Sequence, residues 1–127
     1  MFGMVERVGN VKAKHVKSSG ASVLLPQIQE NISHDAKIYS DTWGSYKSLN
    51  CRGYNHASVN HLKSEWKRDA VHTNTIECFW SQMKRSINGT YHVVSPKYLQ
   101  LYVNEFSFRY NHRHLDYPVF QQLIARV

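Results

Sequence analysis

Two acidic residues in this chain have the type and the sequence context expected of metal ligands. Asp41 ends a short β-type run, Glu77 opens an amphipathic helix, and thirty-five residues lie between them. Carboxylate oxygens are the ligands that Mg²⁺ prefers, so two such acids at one edge of a sheet can share divalent cations. Ions held in this way stabilise the attacking and leaving oxygens of phosphoryl transfer. The pair therefore predicts metal-dependent chemistry on a phosphate ester.

Each acid also has an ordinary structural interpretation. Asp41 could cap the turn that follows its strand, because Asp side chains accept hydrogen bonds from backbone amides two residues later. Asn74 as an N-cap with Glu77 three residues further on fits a capping box, in which the glutamate only supports the start of the helix. The residue pattern alone leaves both interpretations open.

Several residues around Glu77 have the chemistry needed to contact nucleic acid. Lys84 lies seven residues beyond Glu77, nearly two helical turns, so both side chains project from one face of the predicted helix. A cation there could meet a phosphate, and Arg85 widens the basic stripe. The alternative is that Lys84 and Arg85 form the solvated side of an amphipathic helix. His72 precedes the helix, and Trp66 lies in a polar loop where its ring could stack on a base.

The elements that must position these residues follow from hydrophobic spacing and turn signals. Gly9-Asn10 marks the turn of a hairpin, Ser22 is a helix cap, Asn88-Gly89 ends a helix, and Ser95-Pro96 begins one. The predicted elements are a hairpin over 2–16, a helix over 22–33, strands over 37–40 and 56–59, and helices over 75–88 and 96–111. No repeat or linker interrupts them, so residues 1–127 are expected to form one α/β domain.

The charge of the chain indicates a polyanionic partner. Sixteen Lys and Arg against nine Asp and Glu give a net charge of +7, and each neutralised phosphate would release counterions. A basic surface without a dedicated partner is the alternative. The two cysteines and eight histidines lack the short, repeated spacing of zinc modules. Neither a signal peptide nor a membrane-spanning run is present, which predicts a cytoplasmic protein with no membrane partner.

Taken together, these residues closely resemble a known family. The resemblance covers nearly the whole chain, and its most specific part is the His-Thr-Asn run that leads into Glu77 and Trp80. The similar family is that of bacterial insertion-sequence transposases of the DDE class, in the group with an ISXO2-like catalytic domain. The segments that carry the resemblance are Asp41–Tyr46, Val59–His61, His72–Ser81, Lys84–Arg85, Gly89–His92 and Phe108–Asn111.

The resemblance implies a ribonuclease H-like fold and a function in DNA transposition. In such enzymes magnesium or manganese ions, held by three acids, activate water and then a DNA 3′ hydroxyl for strand cleavage and strand transfer. Asp41 matches the second acid, Glu77 the third, and Lys84 the basic residue that follows on the same helix. We therefore expect Asp41 and Glu77 to be catalytic metal ligands. The expected DNA contacts are Lys84, Arg85, His72, Asn74 and Trp66.

One part of the family pattern has no counterpart in this sequence. The family's first Asp lies on a strand that would precede Met1, and neither Glu6 nor Asp35 has the right context to replace it. We expect an incomplete ribonuclease H-like domain that lacks its first central strand, and whose catalytic activity is impaired. The alternative is a non-catalytic remnant that binds DNA or inhibits by co-assembling with a full-length transposase. The expected partner is DNA, and the chain is expected to associate with further copies of itself as a homo-oligomer. The expected location is the bacterial nucleoid.

Overall fold

The computed structural model describes residues 1–59, 73–115 and 119–125. Its strands and helices, in chain order, are β1 (Phe2–Val5), β2 (Val11–Lys14), α1 (Ala21–Asn31), β3 (Lys37–Asp41), β4 (Asn55–Val59), α2 (Asn74–Ser86), α3 (Leu99–Asn111) and α4 (Val119–Ile124). The chain divides into two compact units, which we call the hairpin unit (Met1–His15 with Thr75–Val127) and the parallel-strand unit (Val16–Asn74). The single-domain organisation expected for residues 1–127 stays a prediction.

The hairpin unit is built on the antiparallel pair of β1 and β2. The strands pair from Phe2 with Lys14 to Val5 with Val11, within the span predicted from the sequence. Val11 is buried while the two lysines of β2 are exposed, which is the alternation expected when one face of a sheet meets a core. The amphipathic pattern thus fixes which face of the hairpin receives the helices.

Two helices cover that face. The core of the hairpin unit comprises Phe2, Val11, Phe79, Met83 and Val103. The Phe79 ring meets Tyr110 edge-on, with ring centroids 5.4 Å apart, which joins α2 to α3. A Cβ atom at Gly3 would collide with the indole ring of Trp80. Close packing of α2 on β1 therefore requires glycine at this position.

The parallel-strand unit pairs β3 with β4 in parallel, from Lys37 with Asn55 to Asp41 with Val59. Helix α1 contributes buried apolar side chains at helical spacing and packs against the turn at Gly44–Tyr46. The buried residues of this unit are Leu24, Leu25, Ile28, Leu49, Tyr54 and Val59. Both units combine helices with a two-stranded sheet, so the described part of the chain is mixed α/β structure, as the sequence predicted.

Several helix boundaries differ from the prediction. Ser22 does not cap α1, because the helix begins at Ala21, and the Gly20 carbonyl accepts the bonds from the amides of Val23 and Leu24. Helix α3 begins at Leu99 rather than at Pro96, since residues 96–98 form a turn. The α-helical part of α2 ends at Ser86, but the helical backbone does not stop at Gly89. The backbone continues as a wide π-helical turn over Ile87–Tyr91, so the Asn-Gly pair widens the helix instead of terminating it.

Candidate functional site

Asp41 lies at the sheet edge where the sequence placed it. It is the last residue of β3, and its backbone is in register with Val59 at the end of β4. Because the two strands run parallel, their carboxyl ends share one edge, where open α/β sheets hold ligand-binding groups. Val59 is fully buried, whereas Asp41 is exposed. The buried neighbour anchors the backbone while the carboxylate stays accessible.

The loop after β3 orients the Asp41 carboxylate. Its Oδ1 atom accepts a hydrogen bond from the Trp43 amide at 3.1 Å, which closes an Asx turn. The turn considered as an alternative to metal binding is therefore present. It engages one carboxylate oxygen with one amide, so a carboxylate in this turn keeps lone pairs for a further ligand.

Tyr46 supplies a neutral neighbour for this carboxylate. Burial of the phenol, and secondarily the negative charge of Asp41, raise the pKa of Tyr46 from 10.0 to about 12. Both effects act in the same direction because each disfavours a phenolate. Tyr46 consequently keeps its proton across the physiological range and places a neutral hydroxyl, not a second anion, near Asp41.

The same loop is tied to the residues that precede α1. The Trp43 Nε1–H donates to the Ser19 carbonyl at 3.1 Å, and the Ser45 hydroxyl donates to the same oxygen at 2.6 Å. Two donors from one short loop converge on one acceptor, which restricts how the loop can move. Neither contact was predicted from the sequence.

A hydrogen bond between side chains of β3 and β4 also supports the end of β3. Ser40 and His56 lie on adjacent strands, with the Ser40 Oγ and His56 Nε2 atoms 2.8 Å apart. The Ser40 hydroxyl donates its one proton to the Asp41 carbonyl at 2.6 Å, so its oxygen can only accept from His56, which requires the tautomer with a proton on Nε2. Burial lowers the pKa of His56 from 6.5, because a charged imidazolium is disfavoured there. His56 is thus a neutral hydrogen-bonding partner.

Helix α2 carries the second predicted acid and the basic pair. Glu77 lies in its first turn, and Lys84 and Arg85 lie in its last turn. The helix begins at Asn74, so Asn74 is its first residue and not the preceding cap that the capping-box interpretation required. Phe79 and Met83 are the buried residues of the helix, while Lys84 and Arg85 are exposed. Glu77 and Lys84 lie on one face, about 10 Å apart along the axis.

The predicted site residues therefore divide between the two units. Asp41 belongs to the parallel-strand unit, and Glu77, Lys84 and Arg85 belong to the hairpin unit. His72 and Trp66 lie outside the described residues. Within residues 1–59, 73–115 and 119–125, no group of three or more His, Cys, Asp or Glu side chains could together hold a metal ion. The pairing of Asp41 with Glu77 stays a prediction.

Two residues of α3 have structural roles that the sequence did not reveal. The Asn111 side chain accepts a bond from the Val11 amide at 2.6 Å and donates one to the Val11 carbonyl at 2.9 Å. Gln100 accepts a bond from the His15 amide at 2.6 Å. These amide side chains bond to the outer edge of β2 as a further strand would, which protects that edge from pairing with other chains.

Comparison with known proteins assigns the chain to the transposases. Residues 1–111 match the family described as the ISXO2-like transposase domain, and the chain belongs to this family. An uncharacterised transposase-like protein of Haemophilus influenzae is 26% identical over 106 residues, covering 82% of this chain and 85% of that protein. No solved structure matches the chain.

The described part of the chain contains four α-helices. None of its helices combines the length and the apolar character needed to cross a bilayer.

Proposed function

We propose that this chain acts in DNA transposition as part of a DDE-type catalytic domain that cleaves and transfers DNA strands with divalent metal ions. The observation that carries the proposal is the position of Asp41. It ends the first strand of a parallel pair, remains accessible, and is held in an Asx turn by a loop bonded twice to Ser19. The order of hairpin, helix, parallel pair and helices supports a ribonuclease H-like arrangement.

The donor chemistry of Asp41 and Glu77 fits Mg²⁺ or Mn²⁺. Both side chains offer hard carboxylate oxygens, and exposure of Asp41 leaves room for the waters that Mg²⁺ retains. When bound, such ions would lower the pKa of water and stabilise the charge on the reacting phosphate oxygens. The protein's own contribution would be to hold Asp41 with the Trp43 amide and to keep Tyr46 protonated beside it.

The basic face of α2 would supply the DNA contact. Lys84 and Arg85 are exposed in the last turn, and Lys84 shares a face with Glu77. Cations of this kind fix the register of a duplex through its phosphates without reading sequence. Binding through Lys84 and Arg85 should therefore weaken as salt increases, by a slope of about 0.9 per phosphate contact in a double-logarithmic plot.

Metal binding by the full chain tests the catalytic part of the proposal. We expect Asp41→Asn to lower the affinity for Mn²⁺ by about tenfold or more in calorimetric titrations, because a neutral amide replaces an anionic ligand. Asp35→Asn is the matched control, since Asp35 is an exposed carboxylate of the same unit. Equal Mn²⁺ affinity of the Asp41 variant and the wild type would refute the assignment.

Glu77→Gln, with the exposed Glu30→Gln as its control, tests the second ligand in the same titration. Mn²⁺-dependent nicking of labelled duplex DNA reports the chemistry itself. If both acids are ligands, each substitution should lower nicking below the wild-type level while leaving most of the salt-dependent DNA affinity intact. A loss of DNA affinity as large as the loss of nicking would argue against the metal-ligand roles.

A non-catalytic role is the second candidate, favoured by the exposed cations of α2 and the net charge of +7. In that case the chain would occupy DNA ends or co-assemble with a full-length transposase and inhibit it. The effect of the chain on transposition of a reporter element distinguishes the two functions. Inhibition that survives the double variant Asp41→Asn, Glu77→Gln but is lost in Lys84→Gln, Arg85→Gln would support binding over catalysis.

A further inference from the structure

The turn of the hairpin, residues Glu6–Asn10, has an unusual backbone. We call these five residues the hairpin tip. Val8 has φ of 60°, in the left-handed region that β-branched residues rarely adopt. Two hydrogen bonds close the tip, from the Glu6 amide to the Asn10 carbonyl at 2.9 Å and from the Gly9 amide to the Glu6 carbonyl at 3.0 Å. Strain of this kind persists only where the surrounding structure enforces it.

The strained residue is also apolar and exposed to solvent. Val8 is 91% exposed, more than any other large hydrophobic residue of the described chain. Gly9 follows directly and could adopt a left-handed conformation without cost. A Cβ atom at Gly9 would instead collide with the Glu6 side chain, so the glycine makes room for that carboxylate. Packing within the hairpin unit gains nothing from a valine at position 8.

A fixed cation lies beside the tip. The Arg113 guanidinium donates from Nη1 and from Nη2 to the Gly9 carbonyl, each at 3.3 Å, and from Nη1 to the Tyr110 carbonyl at 2.6 Å. It also stacks 3.8 Å from the centre of the Tyr110 ring. Arginine has five N–H donors, and these bonds engage at most three of them. The formal charges of residues 6–10 and Arg113 are two positive and one negative, the last on Glu6.

We propose that the hairpin tip is a DNA contact, in which Val8 packs into the minor groove and Arg113 binds an adjacent phosphate. Apolar side chains are used in this way against base steps, and arginine positions proteins on phosphates. The net charge of +7 and the fixed cation favour DNA over a protein partner. The inference rests on the DNA partner of the proposed function, and it adds a contact outside the Asp41 and α2 residues.

Val8→Gly in the full chain is the main test. We expect its affinity for a labelled DNA duplex, measured by fluorescence anisotropy, to fall about tenfold, the equivalent of losing one buried valine side chain. The salt dependence should not change, because no charge is removed. The midpoint of thermal unfolding should stay equal or rise, because glycine tolerates the left-handed conformation that strains valine.

Two further variants control this result. Val93 is 84% exposed and is not among the described residues with positive φ, so Val93→Gly removes a similar side chain without relieving strain. Its DNA affinity should equal that of the wild type. Arg113→Gln should lower both the affinity and the salt slope, the latter by about 0.9, because one phosphate contact is lost.

Four results would overturn the inference. Equal DNA affinity of Val8→Gly and wild type would show that the tip does not touch DNA. A fall in affinity together with a fall in the unfolding midpoint would make Val8 a structural residue. A change in sedimentation without a change in DNA binding would identify the tip as a contact between copies of the chain. Failure of the wild type to bind DNA would refute both this inference and the DNA partner of the proposed function.

Discussion

Substitution of Asn111 tests how the hairpin unit is held together. Asn111→Ala removes the two hydrogen bonds to Val11, of 2.6 and 2.9 Å. Because Val11 is buried, its backbone amide and carbonyl then lose these hydrogen-bond partners. At about 1 kcal/mol for each bond, the free energy of unfolding should fall by about 2 kcal/mol. For a chain of this size that loss corresponds to a fall in the unfolding midpoint on the order of 8 °C.

The assay is denaturant unfolding combined with hydrogen exchange at the Val11 amide. Exchange of that amide should accelerate more than exchange elsewhere in β2, because its acceptor is lost. Asn104→Ala is the control, since Asn104 is exposed on the same helix and accepts one solvent-exposed hydrogen bond from the Gln100 side chain, at 2.7 Å. It should cost less than about 0.5 kcal/mol.

An isosteric variant sharpens the interpretation. Asn111→Asp keeps the shape but replaces the donor with an anionic oxygen facing the Val11 carbonyl, so it should destabilise at least as much as alanine at neutral pH. Its stability should recover partly as pH falls and the introduced carboxyl gains a proton to donate. If both Asn111 variants unfold like the wild type and Val11 exchange is unchanged, the amide bonds do not hold the hairpin.

Three other outcomes follow from contacts in the two units. In ultraviolet titration one tyrosine should ionise near pH 12, and Asp41→Asn should lower that pKa only partly, because burial of Tyr46 is the larger cause. The lowered pKa of His56 means that the unfolded chain binds a proton more readily, so stability should fall as pH drops below about 6.5. His56→Gln should make that decline shallower in pH-dependent denaturation. Gly3→Ala should cost about 1–3 kcal/mol in the same assay, since its Cβ meets the Trp80 ring.

Local sequence signals predicted the elements better than their ends. Hydrophobic spacing and the Gly9-Asn10 turn signal were sufficient for the hairpin, because both act over a few residues. The Ser22 cap failed because Ser is only one of several ways to start a helix, and Gly20 presents its carbonyl without a side-chain cap. The Ser95-Pro96 signal marked a turn that precedes α3, not its first residue.

In the candidate site, too, features set by neighbouring residues were predicted and contacts between distant residues were not. Asp41 at the end of a strand was predictable from the residues beside it. The bonds from Trp43 and Ser45 to Ser19 join positions far apart in sequence, as do those from Asn111 to Val11. No periodicity or propensity encodes such pairs, because they depend on how the elements pack. For these residues the sequence supplied the donor groups, and the fold determined which acceptor each one meets.

The electrostatics of Asp41 distinguish it from a surface carboxylate with a structural partner. Glu105 forms an ion pair with Arg109 one turn away on α3, which neutralises its charge. Among the described residues, by contrast, Asp41 has an amide donor and a protonated tyrosine nearby but no ion pair. A cation arriving at Asp41 would therefore not have to displace a lysine or arginine of the described residues. The loop thus holds an anionic oxygen in place without neutralising it, which is the condition that a divalent ion requires of its ligand.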